Sequence, residues 1–255
     1  MIFLLESPEV AEPLFKGWEE SLIWSCLQGV MGELYVDDRA HPSAVMAILG
    51  DFCFFAGEPC EELVRYKPTW CRQDFMIMVP QNDRWGDLIK FCYGTRATEV
   101  TRYAIKKERG IFDKEKLERI AEAVPDGFEV KLIDEEVYHW SREREWCKDW
   151  ASHYDTYEEF RDMGLGVVVT KDGIPVAGAS SYSTFRDGIE IEINTKEEYR
   201  RRGLASVCGA RLILECMKRD LYPSWDAQNK WSVGLAEKLG YHYSHEYPAY
   251  EIRGY

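Results

Sequence analysis

Residues 189–214 impose a strand, a turn and a helix in immediate succession. Ile189, Ile191 and Ile193 alternate with Glu190, Glu192 and Asn194, the two-residue period of a strand. The turn is Arg200-Arg201-Arg202-Gly203-Leu204-Ala205, and Ser206 opens an apolar stretch with helical spacing over 206–219. A helix start presents unpaired backbone N–H groups and the positive end of the helix dipole. Gly203 allows a positive φ and close approach to the backbone, and Ala205 is small enough to let an anion sit near the helix axis. Three arginines add charge-assisted contacts to phosphate oxygens. R-x-x-G-x-A alone is a common pattern. Between a strand and a long helix, it reads as a cradle for pyrophosphate.

The rest of the chain surrounds that segment with alternating elements. Residues 128–133 alternate as a strand, with Asp134 as N-cap of a helix expected over 135–154 and a shorter helix over 157–163. Residues 165–170 and 174–183 flank Lys171-Asp172-Gly173, a hairpin signal. Trp225 falls in a short expected strand, residues 230–239 form a helix stopped by Gly240, and 241–252 are expected to close as a hairpin. Upstream, 44–49 has a helix-like composition, while 74–79 before Pro80 and 100–105 read as strands. A helix spans 83–93 and stops at Gly94. The charged run 106–110 is the expected linker, giving an N-terminal α/β domain over 1–111 and a second domain over 112–255. The two halves echo each other. Gln81-Asn82 precedes Gly94 by twelve residues from Asn82, and Gln228-Asn229 precedes Gly240 by eleven from Asn229, so the first half reads either as a degenerate copy lacking the arginine turn or as a coincidence of a short motif. The fold class is α+β, a mixed and mainly antiparallel twisted sheet flanked by helices.

Composition narrows the function. A net charge of −13 disfavours nucleic acid and anionic lipid as partners and favours a cationic ligand such as an amine, although acidity also serves solubility. No apolar run approaches the roughly 20 residues of a membrane helix, and no basic, apolar leader opens the chain, so a cytoplasmic protein is expected. The eight cysteines form no C-x-x-C pair and read as reduced core residues. The five histidines include His242-x-x-His245, which lacks carboxylates at ligand spacing, so no metal is expected.

The segment 189–252 resembles the cofactor-binding half of the GNAT superfamily of N-acetyltransferases, and the strand order extends the resemblance over 128–255. The finer likeness is to the zwittermicin-A-resistance-like group, which carries a long N-terminal extension. In that superfamily the turn matching Arg200, Arg201, Arg202, Gly203, Leu204 and Ala205, with Ser206 after it, holds the pyrophosphate of acetyl-CoA. The preceding strand splays from its neighbour and pairs with pantetheine, which here implies Ile193, Asn194 and Thr195. Trp225, Asn229, Ser232 and Leu235 resemble the second motif, implying cofactor contacts from Asn229 and Ser232. The implied activity is direct acetyl transfer from acetyl-CoA to a small amine, an antibiotic or metabolite, with no metal; the alternative is a non-catalytic CoA-binding module. A dimer is compatible with either. Many members carry a tyrosine acid where this chain has Ala236, leaving Tyr241, Tyr243 or water as substitutes. For the base, an inward-facing carboxylate with a raised pKa can take the proton of an ammonium. Glu192, nearer the splayed end, is the first choice and Glu190 the second.

Overall fold

The computed structural model describes residues 1–255. The chain forms two compact units, Met1–Arg102 with Glu246–Tyr255, and Tyr103–His245. The break therefore falls at 102/103, not at the expected 111/112, and the last ten residues belong to the first unit. The charged run 106–110 is no domain linker, because the chain crosses between units inside an unbroken strand, Ala97–Ile105.

The first unit contains β1 (Phe3–Leu4), α1 (Ser21–Leu27), β2 (Glu33–Val36), β3 (Ala44–Leu49), β4 (Phe52–Gly57), α2 (Glu61–Val64), β5 (Phe75–Pro80) and α3 (Asp83–Tyr93). It also contains the first part of β6 (Ala97–Ile105). Strands β2, β3 and β4 are antiparallel neighbours, and β4 then pairs in parallel with β5. Every residue of β3 is buried, so the helix-like Ala-Val-Met-Ala-Ile-Leu becomes a strand covered on both faces. Met46, Ile48, Phe55, Met76 and Met78 pack with Trp85 and Ile89 of α3.

The second unit contains α4 (Lys114–Glu122), β7 (Phe128–Leu132), α5 (Glu135–Arg142), α6 (Tyr157–Met163), β8 (Gly166–Lys171), β9 (Ile174–Phe185) and β10 (Gly188–Thr195). There follow α7 (Leu204–Lys218), β11 (Tyr222–Ser224), β12 (Asp226–Ala227) and α8 (Lys230–Leu239). The last strand, β13 (Tyr243–Arg253), carries the chain back into the first unit, where its Tyr250–Arg253 pair with Phe75–Met78 of β5. The sheet of the second unit has the order β11-β10-β9-β8-β7, antiparallel except for β10 against β11. Asp172 (φ 51°) and Gly173 (φ 79°) are both left-handed, as a two-residue hairpin between twisted strands requires. Helix α7 buries Val207, Leu212, Ile213 and Cys216 against Ala177, Ala179, Ile189 and Ile191, with Leu117 of α4 in the same cluster.

Three local expectations are corrected. The helix expected over 135–154 ends at Arg142, and Lys148–Trp150 makes only a 3-10 turn. Side chains of α5 draw the chain back: the Tyr138 hydroxyl donates to the Tyr154 carbonyl at 2.7 Å, and Arg142 donates to the Ala151 carbonyl at 2.8 Å. The hairpin expected over 241–252 is instead the single strand β13, since that stretch has no Gly, Asn or Asp to supply a positive-φ turn. Trp225 lies between β11 and β12, not within a strand.

Both units present four antiparallel strands, a fifth in parallel, and then a helix with an asparagine cap. Asn82 (φ −157°, ψ 173°) accepts the Trp85 N–H, and Asn229 (φ −157°, ψ 171°) accepts the Ser232 N–H. The helices end at Gly94 and Gly240, both with positive φ.

Gly188 carries the parallel contact of β10 with β11. A Cβ there would lie 2.1 Å from the Tyr222 carbonyl oxygen and 2.6 Å from the Phe185 ring. Gly188→Ala should therefore lower stability by about 1–3 kcal/mol, read as an earlier urea midpoint. An unchanged midpoint would show that the two strands can part without cost.

Candidate active site

The site grows from the way β10 loses one of its neighbours. β10 pairs with β9 from Gly188 to Thr195, but with β11 only across Gly188–Glu190 and Tyr222–Ser224. From Ile191 onward no strand covers its other edge. Two features act at the point of divergence. The register of β10 against β9 shifts between Glu190 and Ile191, with Tyr182 as the extra residue on β9, and such a bulge bends the pair locally. In addition, Oε1 of Glu190 accepts the Asp226 backbone N–H at 2.7 Å, so a side chain takes the place of a ladder partner just beyond β11. Along the uncovered edge, Asn194 Oδ1 and Thr195 Oγ1 are buried atoms without a hydrogen-bond partner, which is costly unless a ligand engages them.

The arginine turn follows directly. Glu197–Tyr199 form a 3-10 turn, Arg200 is extended, and Arg201 (φ 61°) and Gly203 (φ 82°) are both left-handed. Left-handed residues interleaved with others turn successive N–H groups toward one side, an anion-binding concavity. The first bond into α7 runs from the Val207 N–H to the Gly203 carbonyl, 3.1 Å, so the N–H groups of Leu204, Ala205 and Ser206 have no acceptor within the helix. A Cβ on Gly203 would meet nothing within 4 Å, so the space above it is open. Arg200, Arg201 and Arg202 are exposed. Arg200 Nε donates to the Thr195 carbonyl at 3.2 Å, tying turn to strand, and the Arg202 guanidinium lies 5.3 Å from the Tyr199 ring centroid.

Asn229 and Ser232 both sit at the start of α8. The Asn229 side-chain oxygen caps the helix through the Ser232 N–H, 3.0 Å, and the Ser232 hydroxyl accepts from the Trp225 indole, also 3.0 Å. Ser206 accepts from Lys238 Nζ at 2.9 Å, joining α7 to α8.

The isoleucine face of β10 packs on α7, as the alternation required. The opposite face carries Glu190, Glu192 and Asn194, register partners of Ser183, Ser180 and Gly178. Glu190 is buried and Glu192 half-buried. Trp150 covers this face: a Cβ on Gly178 would come within 2.5 Å of its ring, and its carbonyl accepts from Ser180 at 2.6 Å. Its indole Nε1 and the Ser183 hydroxyl are buried without partners. The His153 and Tyr182 rings stand 4.2 Å apart. Tyr182 and Ser183 escaped the sequence reading because a one-residue bulge breaks the alternation that assigns faces.

Other expected contributors fall differently. The Tyr241 hydroxyl is buried, donates to the Pro223 carbonyl at 2.7 Å, and burial pushes it well above the ordinary phenol range. Tyr243 is half-buried and Ala236 fully buried in the core. Burial pushes the thiols of Cys147, Cys208 and Cys216 up to about 12, so none of them supplies a thiolate near neutrality. His242 bonds Glu108 at 2.7 Å and His245 bonds Ser244 at 3.0 Å. No helix is long and apolar enough to cross a membrane.

Comparison with known proteins bears on this geometry. Residues 12–250 match the family model described as GNAT acetyltransferase. The chain is 27% identical over 246 residues to the uncharacterized N-acetyltransferase YdfB of Bacillus subtilis, covering 90% of this chain and 89% of that protein. It is 43% identical to a GCN5-related N-acetyltransferase-like protein from Streptococcus suis of known crystal structure, with a TM-score of 0.90 over 97% of this chain and 99% of the other. A tandem GNAT protein from the clavulanic acid biosynthesis pathway, 8% identical, shares the fold over 100% of this chain and 99% of that one with a TM-score of 0.54.

The Glu190 bond to Asp226 yields a stability prediction. Glu190→Ala should cost about 1–3 kcal/mol, because a part-buried backbone N–H loses its acceptor, while Glu190→Gln keeps an oxygen there and should cost clearly less. Denaturant titration of both variants checks this; equal losses would remove the bond from the account of the divergence.

Proposed function

The chain belongs to the GNAT acetyltransferase family, and on that premise we propose that it transfers an acetyl group from acetyl-CoA directly to a small amine. The observation that carries this reading is the uncovered edge of β10 leading into the left-handed turn at Arg201 and Gly203. An extended polyamide arm suits the edge at Ile193, Asn194 and Thr195, where two buried polar atoms lack partners. A pyrophosphate suits the N–H groups of Leu204, Ala205 and Ser206 under Arg200, Arg201 and Arg202. Asn229 and Ser232 flank the arm from the β11 side, with the Asn229 amide nitrogen as the donor left over from the helix cap. The thioester supplies an acetyl group already activated toward attack.

The protein's own task is then to orient the amine and take its proton. Glu190 is committed to the Asp226 N–H. Glu192, two residues closer to the uncovered edge on the same face, is the stronger base candidate. Burial keeps the thiols of Cys147, Cys208 and Cys216, the three cysteines of the second unit, protonated, which favours direct transfer over a covalent enzyme intermediate. With Ala236 buried and Tyr241 bound to Pro223, proton return to the leaving thiolate falls to water or Tyr243. The acidic chain and the carboxylates of β10 suit a cationic acceptor.

The buried alanine at 236 also favours a second reading, a CoA-binding module without turnover. In the first unit the corresponding edge is already filled: the Gly57 N–H donates to Gln81 Oε1 at 3.0 Å and its carbonyl accepts from the Trp85 indole at 2.9 Å. We therefore take that unit as a copy without a thioester site.

Calorimetry with acetyl-CoA should show binding that Gly203→Asp weakens at least ~10-fold, through left-handed strain and charge repulsion. Absence of wild-type binding would end the proposal. A thiol-release screen over aminoglycosides, amino sugars and simple amines then separates enzyme from module. With an accepted amine, Glu192→Gln should lower kcat/KM by about 100-fold near neutrality. A base works deprotonated, so wild-type activity falls as pH drops below its pKa. The variant should lose that limb and approach wild type at high pH, where the amine is already neutral. An unchanged pH profile would move the base elsewhere.

A further inference from the structure

The bulged stretch of β9 is held by one short segment, residues 150–154. The Trp150 carbonyl accepts from Ser180 Oγ at 2.6 Å, and the His153 ring stands 4.2 Å from the ring of Tyr182. The Tyr154 hydroxyl donates to Ser181 Oγ and is also bonded to Thr184 Oγ1, both at 2.8 Å. Tyr154 and Ser181 are fully buried. Ser181 Oγ also accepts the Leu165 N–H at 3.0 Å, and Thr184 Oγ1 donates to the Met163 carbonyl at 2.9 Å. Burial pushes the Tyr154 phenol up to about 12, so it stays a neutral hydroxyl near neutrality.

The double contact is specific for the bulge. Residues three apart in a regular strand point to opposite faces, about 10 Å from one another. Ser181 and Thr184 are three apart, yet their side-chain oxygens lie within two hydrogen-bond lengths, because both touch the same phenol. The extra residue between them, Tyr182, bends the strand so that both are presented together. The hydroxyl therefore favours the bulged pairing, since a regular one would cost it one of its two bonds. Tyr154 is itself fixed from behind. Its carbonyl accepts from the Tyr138 hydroxyl of α5 at 2.7 Å, and its ring centroid lies 5.2 Å from that of Phe160 in α6.

The bulge falls opposite Glu190 and Ile191, the point at which β10 parts from β11. We propose that Tyr154 is a positioning residue for acetyl transfer: its hydroxyl holds the β9 bulge, and through it the course of β10 between the carboxylate face and the uncovered edge. This rests on the acetyl-CoA reading given above. The arginine turn follows the far end of β10, so loss of the hydroxyl should spare acetyl-CoA binding and degrade the alignment of amine and thioester. Without that hydroxyl, Ser181 and Thr184 each keep one other bond, so the sheet retains its hydrogen bonding.

The probe amine is the one with the highest kcat/KM in a thiol-release screen of aminoglycosides, amino sugars and simple amines. Active sites are counted by acetyl-CoA titration, so any unfolded fraction drops out of kcat. Tyr154→Phe should lower kcat about 10- to 100-fold while the acetyl-CoA dissociation constant moves less than about 3-fold. Thr184→Val, which removes the partner hydroxyl, should act likewise, and Thr184→Ser, which keeps it, should restore kcat. The double variant Tyr154→Phe/Thr184→Val should be no slower than Tyr154→Phe alone, because the two substitutions break a shared bond. An unchanged kcat in Tyr154→Phe, or losses that multiply in the double variant, would overturn the assignment and leave the acetyl-transfer reading standing. A loss confined to acetyl-CoA affinity would make Tyr154 a support for the cofactor and overturn it equally. If wild type binds acetyl-CoA but turns over no amine, or binds no acetyl-CoA, that reading fails and the assignment falls with it.

Discussion

The second unit depends on one separation, that of β10 from β11 after three paired residues. A parallel pair that simply continued would leave no edge for a ligand, and one that never formed would leave α7 and α8 without a common floor. The Glu190 carboxylate holds the chain at the fork by taking the Asp226 N–H, and the extra residue Tyr182 bends β9 opposite it. The arginine turn, the helix start and the carboxylate face all take their positions from this fork.

Much of this was legible in the chain because it rests on local rules. The alternation at 189–194, the Asp172-Gly173 turn and the Asn229 cap each reflect a backbone requirement that a few adjacent residues satisfy, and they occur where the spacing puts them. What escaped depends on distant partners. The helix expected through residue 154 stops at Arg142 because Arg142 and Tyr138 find carbonyls at Ala151 and Tyr154. The helix-like 44–49 is a strand because both its faces are covered. The Glu190 bond to Asp226 spans 36 residues and has no sequence signature. The candidate site divides in the same way. Its turn and helix start are local and readable, whereas the carboxylate face is completed by Trp150, Tyr182 and Ser183 across several elements.

The two units also show how one arrangement can be kept or spent. Each has a parallel strand pair followed by a helix capped by asparagine with nearly identical dihedral angles. In the first unit, Gln81 and Trp85 occupy the edge at Gly57, and α2 is a four-residue helix where the second unit has the fifteen-residue α7. Two side chains thus close in the first unit an edge that the second unit leaves uncovered.

The crossing of β6 and β13 between units has a consequence for synthesis. The first unit incorporates Glu246–Tyr255, whose Tyr250 and Ile252 join its core and whose strand pairs with β5. Those residues are made only after the whole of the second unit. The unit made first therefore cannot complete its fold until the second has been synthesised, and β5 waits with an unpaired edge in the meantime. Folding of the first unit is thus tied to synthesis of the second, and the nascent first unit is a natural client for chaperones that shield open strand edges.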